Sequence, residues 1–516
     1  MNQPQRSLFR RVALCAVCPL ILSAIASLKG GESASPSFHL SLDAKLAKAP
    51  FSGRVFVVAS RQPIKHEPPR LSWFKPEPFF AMEVQDWQAG QPLVFGRQAL
   101  GYPDPLAKLP PGKYHVQAVV DMDQGGQNCL TSPGNLFSKP MLVELPGKSG
   151  PVALTIDQVL APRKFQETER VKLVEIESQL LSKFHQKPMK LRAGVVLPKS
   201  FAKNPAARYP VVYEIPGFGG DHFGAFAVEG RKAEPEVEMI WVVLDPSCRL
   251  GHHVFADSDN NGPCGNALVT ELIPHIEKLY RGLGRPQSRF VTGHSSGGWG
   301  SLWLQVAYPQ FFGGVWSTAP DPVDFRDFQK VDIYATGANV FTDDMNKPRP
   351  LAFKKDKILL WFKGFSDFEE VMGRGGQLGS FEAVFSPKGP GAPSPHGGDG
   401  RARGATPMRL WDRKTGTIYP ATAKTWQRYD IRLILERDWP RLGPLLAGKL
   451  HLFMGDEDTF YLTGATILLK ESLKRLGSDA VVEILPGRDH FTLLDTALRQ
   501  RIAREMSAAA RKGQGG

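Results

Sequence analysis

The sequence of 516 residues predicts an α/β protein with a mostly parallel central sheet, preceded by a smaller all-β sandwich. Two observations predict it. From about Met189 onward, short continuous apolar runs alternate with helical patterns, as in a parallel sheet covered on both faces. Between about Ser37 and Leu160, short apolar runs are separated by Pro-Gly, Pro-Pro-Gly and Asp-rich junctions, the spacing of an antiparallel sandwich. A chain of this length also exceeds what one hydrophobic core usually holds.

In order, residues 1–35 read as a signal peptide with a short mature leader. Arg6, Arg10 and Arg11 form a positive flank, Val12 to Leu28 is the apolar run, and Ala24-Ile25-Ala26 offers a cleavage site. The run is short for a span and contains Pro19, so cleavage is favoured over a retained anchor. The expectation is an exported protein, periplasmic or secreted, without a stable membrane span after cleavage. The sandwich occupies 36–162, with strands expected at Phe38–Leu42, Gly53–Ala59, Tyr114–Val120, Met141–Leu145 and Val152–Ile156. Residues 163–188 look like an amphipathic linker helix, because Val171, Val174, Leu180, Leu181 and Phe184 share a face.

Residues 189–516 form the expected catalytic domain. Its strands begin at Leu191, Val211, Met239, Phe290, Gly314, Leu450 and Val481, with helices over Asn266–Leu279, Gly298–Ala307 and Gly464–Leu476. The interval at about 320–445 breaks the alternation. It combines a loop-like stretch from Ser386 to Gly400 with a helix-like stretch from Pro420 to Leu435. A loop of that length is implausible in a compact domain, so an inserted lid or cap with its own helices is expected.

Composition narrows the function. The formal charge is +13, yet the Lys and Arg residues are scattered, with no basic block among aromatics. That is a basic soluble enzyme rather than a nucleic-acid binder. After signal removal Cys129, Cys248 and Cys264 remain, an odd number without metal-ligand spacing. Cys248 and Cys264 flank one loop and either pair in an oxidising compartment or stay as free thiols. Asp257-Ser258-Asp259-Asn260-Asn261-Gly262 starts like a calcium loop, but Leu268 stands where the bidentate Glu belongs. An Asx-rich turn at the mouth of the site is the better reading, and no metal site is assigned. His252 and His253 read as loop histidines, the alternative being that one of them faces substrate, since neighbours on an extended segment point to opposite sides.

The chemistry concentrates in Gly293-His294-Ser295-Ser296-Gly297. An apolar strand precedes this G-x-S-x-G phrase and a helical pattern follows it. That is the context of a sharp turn holding a nucleophilic Ser295 at its apex. Gly293 and Gly297 are needed because side chains there would collide with neighbouring backbone. A serine hydroxyl is weak and needs a base. His490, the last histidine, follows the strand Val481–Leu485 and completes the order serine, acid, histidine. The acid follows the strand at Leu450: Asp456 and Asp458 are both candidates. Donors for a developing oxyanion come from the N–H of Ser296, after the nucleophile, and from the loop Pro216-Gly217-Phe218-Gly219-Gly220, where Phe218 or Gly219 could serve.

These phrases, together with Tyr213-Glu214-Ile215, Glu271-Leu272-Ile273-Pro274, Gly455-Asp456-Glu457-Asp458 and Gly487-Arg488-Asp489-His490, resemble the esterase D / enterochelin-esterase branch of the α/β-hydrolases. The resemblance implies an α/β-hydrolase fold and the residue roles of that branch. Phe218 gives the second oxyanion N–H, Asp458 is the acid and His490 the base. It implies a serine esterase, enterochelin-esterase-like or feruloyl-esterase-like, that cleaves a small-molecule or polymer-linked carboxylic ester without a cofactor. The sandwich resembles the β-domain that precedes the catalytic domain in some enterochelin-esterase-like enzymes. The rival readings are an acyltransferase or peptidase with the same triad, and a catalytically degenerate exported binding protein. The sequence assigns no substrate-contacting residue and no oligomeric state.

Overall fold

In the computed structural model, residues 36–46, 49–146, 150–231, 235–389 and 406–514 are described. The expected signal peptide lies outside them, as does most of the loop-like stretch between Ser386 and Gly400. No helix among the described residues is long and apolar enough to cross a membrane.

The catalytic sheet has eight strands in the spatial order Val171–Glu177, Lys190–Val196, Ile240–Leu244, Val211–Ile215, Arg289–His294, Gly314–Thr318, Leu450–Gly455 and Val481–Leu485. The first two ladders are antiparallel and the remaining five are parallel. Strand sequences such as Val-Val-Tyr-Glu-Ile and Gly-Val-Trp-Ser-Thr are buried almost throughout, as expected for a sheet covered on both faces. The helix Ser296–Ala307 packs across its centre and Thr496–Gln514 closes the chain.

The linker helix expected over 163–188 is instead a strand, Val171–Glu177, followed by a short helix, Gln179–His185. The strand pairs along its whole length with Lys190–Val196. Its β-branched residues, with Val171 and Val174 buried, gain a ladder there, and tertiary pairing outweighs the helical spacing. Ser178 then caps the helix by accepting from the Leu181 N–H.

The expected sandwich is one hydrogen-bonded sheet of nine strands rather than two stacked sheets. Phe38, Val57, Phe80, Phe95, Tyr114 and Leu154, drawn from across the strand order, share one core, so the sheet curls upon itself. The strand Gly112–Asp121 allows this by pairing with Met141–Leu145 along one half and Leu136–Ser138 along the other. Its opposite face, with Phe56, Val58, Phe79 and Val119, joins the core of the catalytic part.

The segment between Thr318 and Leu450 holds a hairpin, Pro350–Lys354 with Lys357–Trp361, and the helices Phe362–Met372, Gln377–Phe385, Pro420–Trp426 and Ile431–Leu446. The helix expected over Pro420–Leu435 is split because Asp430 accepts from the Leu433 N–H and starts a new helix. Arg374 of this segment grips Asp121 of the curled sheet through two nitrogens, and Arg249 of the catalytic part pairs with Asp123. Arg54 adds a bond to the Glu370 carbonyl. These ties and the shared core make the described residues one compact unit.

Candidate active site

The nucleophile turn is built by steric necessity. The strand Arg289–His294 ends, Ser295 adopts φ 59° and ψ −126°, and the helix begins at Ser296. A side chain rarely occupies such a conformation, and it persists only when its surroundings enforce it. Here the Ser295 N–H donates to the Thr318 carbonyl at 3.1 Å, and the Ser295 carbonyl accepts from Trp299 at 3.0 Å. A Cβ at Gly293 would lie 2.1 Å from the Gly297 oxygen, and one at Gly297 would lie 1.9 Å from the Ile215 oxygen. Both glycines are therefore required, for the reason the motif implied.

Asp458 and His490 meet. The His490 Nδ1 lies 2.7 Å from Asp458 Oδ2, and both side chains are buried. The other Asp458 oxygen accepts from the Phe460 N–H at 2.9 Å. A carboxylate against Nδ1 keeps the proton there and leaves Nε2 free to accept one. Of the two candidate acids, Asp458 is the one that contacts His490, and Asp456 is exposed. The loops carrying them are stitched together, with the Asp456 N–H donating to the Leu485 carbonyl and the Glu457 N–H to the Arg488 carbonyl. Ser295, Asp458 and His490 thus follow the carboxyl ends of three strands of the same sheet. The His294 ring, next in sequence to Ser295, lies 4.7 Å from the His490 ring.

The loop bearing Phe218 lies beside the nucleophile: a Cβ at Gly217 would be 3.4 Å from the Ser295 Cβ. Gly219 takes a positive φ of 80°, and the Gly220 N–H closes the turn on the Gly217 carbonyl. Ser296 opens its helix, where the first N–H groups have no acceptor within the helix.

His252 and His253 are buried rather than solvated loop residues. The His252 Nδ1 faces the Val254 N–H, which can only donate, and Nε2 faces the Pro216 carbonyl at 2.8 Å, which can only accept. The ring is therefore neutral with its proton on Nε2, and burial holds its pKa down at about 4. It props the loop of Phe218 from behind. Asp257 accepts from the Gly265 and Asn266 N–H groups and so serves a helix start, not the rim of a calcium loop. Among the described residues no cluster of three or more His, Cys, Asp or Glu side chains is placed to hold a metal ion. Cys248 and Cys264 are free thiols, whose sulfurs both face Asn261. A second histidine–aspartate pair, His222 with Asp245, lacks a nucleophile, because Ser247 donates to the carboxylate rather than to the ring.

Two groups at the site escaped the sequence reading. Trp73, from the loop before the strand Phe79–Trp87, sets its ring 5.4 Å from Phe218, 5.2 Å from Phe365 and 6.3 Å from Phe460. Phe460 in turn meets His490 at 4.9 Å, and exposed Phe491 lies beside it. The only hint in the sequence is the pair Trp73-Phe74 in a proline-rich stretch. The second group is Asp321, which accepts from the Ser296 hydroxyl at 2.6 Å and whose N–H donates to the Ser295 carbonyl. Burial raises its pKa to about 6, although the Ser296 hydrogen bond opposes that shift. Gln377 of the inserted segment donates to the same Ser296 oxygen at 3.1 Å.

An α/β sheet with a strained serine turn and a histidine–aspartate pair at the ends of its strands defines a hydrolase of the α/β type. The Esterase family model, described as "Putative esterase", matches residues 185–466, more than half of the chain, and the chain belongs to that family. No curated protein matches it. Among solved structures it is similar to a ferulic acid esterase, at 17% identity over 66% of this chain and 99% of that one, with a TM-score of 0.36. It is similar to the S-formylglutathione hydrolase of Agrobacterium tumefaciens, at 15% identity over 66% and 94%, TM-score 0.37. The fluorophosphonate-binding serine hydrolase F of Staphylococcus aureus is similar at 13% identity over 66% and 98%, TM-score 0.36.

Proposed function

We propose that the protein hydrolyses carboxylic esters through an acyl-enzyme. Ser295 attacks the carbonyl and His490 takes its proton through Nε2. Asp458 holds the imidazole tautomer and offsets its charge, and the N–H groups of Phe218 and Ser296 receive the oxyanion. Water then reverses the proton route and releases the acid. No cofactor enters this scheme. The observation that carries it is the 2.7 Å contact of His490 with buried Asp458, together with a Ser295 held at positive φ after another strand of the same sheet, next to the His294 whose ring lies 4.7 Å from that of His490. The run of rings Phe218, Trp73, Phe460 and Phe491, the last two against the histidine, favours an ester with a flat or large apolar group.

The experiment is labelling of the protein with a fluorophosphonate, mapping of the modified residue, and assay with water, alcohol and amine acceptors. Modification of Ser295 with acid as the main product is expected. Modification elsewhere, or none, removes the assignment, while faster transfer to alcohol or amine replaces hydrolysis by acyl transfer or peptide-type chemistry. We also propose that the arginine-flanked apolar start directs export. A mature chain found outside the cytoplasm and beginning after Ala26 is the expected result.

A further inference from the structure

Behind the nucleophile turn, on one face of the catalytic sheet, lies a cavity of about 150 Å³ whose lining includes none of Ser295, Asp458, His490 and Phe218. Its floor is Thr292-Gly293-His294, the strand end that presents Ser295, and its walls include Val196, Val228, Met239, Trp241, Leu494 and Ile502. A volume of that size holds about one aromatic ring.

Four basic side chains, Arg170, Lys199, Arg231 and Arg499, and three acidic ones, Glu214, Glu229 and Glu238, line it. Arg231 holds Glu214 through two nitrogens at 2.6 and 2.7 Å, and the Trp241 Nε1 donates to the same carboxylate at 2.7 Å. Glu214 is therefore fully engaged. Glu238 accepts from the Ser200 N–H, and the Arg170 Nε donates to the Leu197 carbonyl. Arg499 also lines the cavity, half-buried, and its guanidinium has no hydrogen-bond or ion-pair partner among the described residues. Burial and the neighbouring Arg231 charge both push its pKa down, with Glu214 only partly offsetting them. A guanidinium in this position gains from an added anion, and its planar fork matches a carboxylate. Apolar walls leave little to hold a bare inorganic ion.

We propose that this crevice is a second ligand site, which takes a small organic carboxylate with its apolar body against Trp241 and Leu494 and its carboxylate on Arg499. Calorimetric titration of the full chain with benzoate tests it, beside benzyl alcohol and inorganic phosphate. Benzoate binding is expected to weaken at least tenfold in Arg499→Met and by less in Arg499→Lys, which keeps the charge and loses the fork. Val228→Phe, which fills the crevice while leaving the cation in place, should also abolish it. Equal benzoate binding by Arg499→Met overturns the proposal, as does benzyl alcohol or phosphate binding as tightly as benzoate. Should Arg499→Met fail to fold, unchanged binding by Val228→Phe overturns it.

Discussion

The nucleophile turn and the long segment between Thr318 and Leu450 serve the same centre by opposite means. The turn is fixed locally: two glycines, one strained serine and a helix start, with clashes of about 2 Å forbidding any other residue at Gly293 or Gly297. The segment contributes at long range. Gln377 reaches Ser296, Phe365 backs Trp73, and Ser380 receives the His252 N–H on its hydroxyl. None of these pairs is close in sequence. Reactive atoms are thus set by short-range sterics, and the walls and supports around them by packing between distant parts of the chain.

The sharpest break of that contrast is at the turn. Ser295→Ala should lower kcat for a p-nitrophenyl ester by about four orders of magnitude or more, since the members of a triad act as a unit. The folded state should persist, because alanine relieves no contact that the turn depends on. A loss below tenfold in purified, folded protein would remove serine catalysis from the account.

Next in size is the choice between two aspartates that lie two positions apart in one loop, Asp456 and Asp458. Asp458→Asn should cost about three to four orders of magnitude in kcat, because the amide presents the wrong partner to Nδ1. Asp456→Asn, at an exposed position, should change kcat less than twofold. Equal losses in the two variants would mean that the 2.7 Å contact does not orient the base.

The distant walls should show smaller effects. Trp73→Ala should raise KM for an aryl ester about tenfold while leaving kcat within threefold, the signature of lost binding common to ground and transition states. An acetyl ester of a small aliphatic alcohol should be affected less. If both substrates suffer alike, Trp73 supports the Phe218 loop and is not a substrate wall.

The same contrast explains what could be read in advance. The strands Val211–Ile215 and Val481–Leu485 carry apolar runs interrupted by a single glutamate each, Glu214 and Glu483, and their bounds are visible in the sequence. Ser295 and His490 announce themselves by glycine spacing and chain order. Val171–Glu177 misleads because its apolar residues fit a helical face as well as a strand, and only the partner Lys190–Val196 decides between them. His252 looks like a loop histidine because nothing in its neighbours reveals that the Pro216 carbonyl, thirty-six residues away, waits for its proton. Trp73 and Gln377 gain their roles from the docking of the curled sheet and the inserted helices, which no local pattern encodes.

The smallest expected effect concerns Asp321, where the local turn and the distant segment touch the same side chain. Its pKa in the folded protein is raised to about 6 from an ordinary 3.8. Well below pH 4 the group is protonated in both folded and unfolded chains and makes no difference to stability. As the pH rises from about 4 to about 6 the unfolded chain ionises while the folded chain keeps its proton, so the contribution grows unfavourable, levelling off above about pH 6 at on the order of 2–3 kcal/mol at most. Asp321→Asn keeps an acceptor for the Ser296 hydroxyl and removes the charge. The melting temperature of the variant relative to the unaltered protein should therefore climb by several degrees between pH 4 and pH 7. Its kcat at pH 7 should stay within tenfold, because Asp321 touches Ser296 and not the reacting atoms. A difference in melting temperature that stays flat across this range would show that Asp321 ionises in the fold as readily as in water, with Gln377 and Ser296 fully repaying its burial.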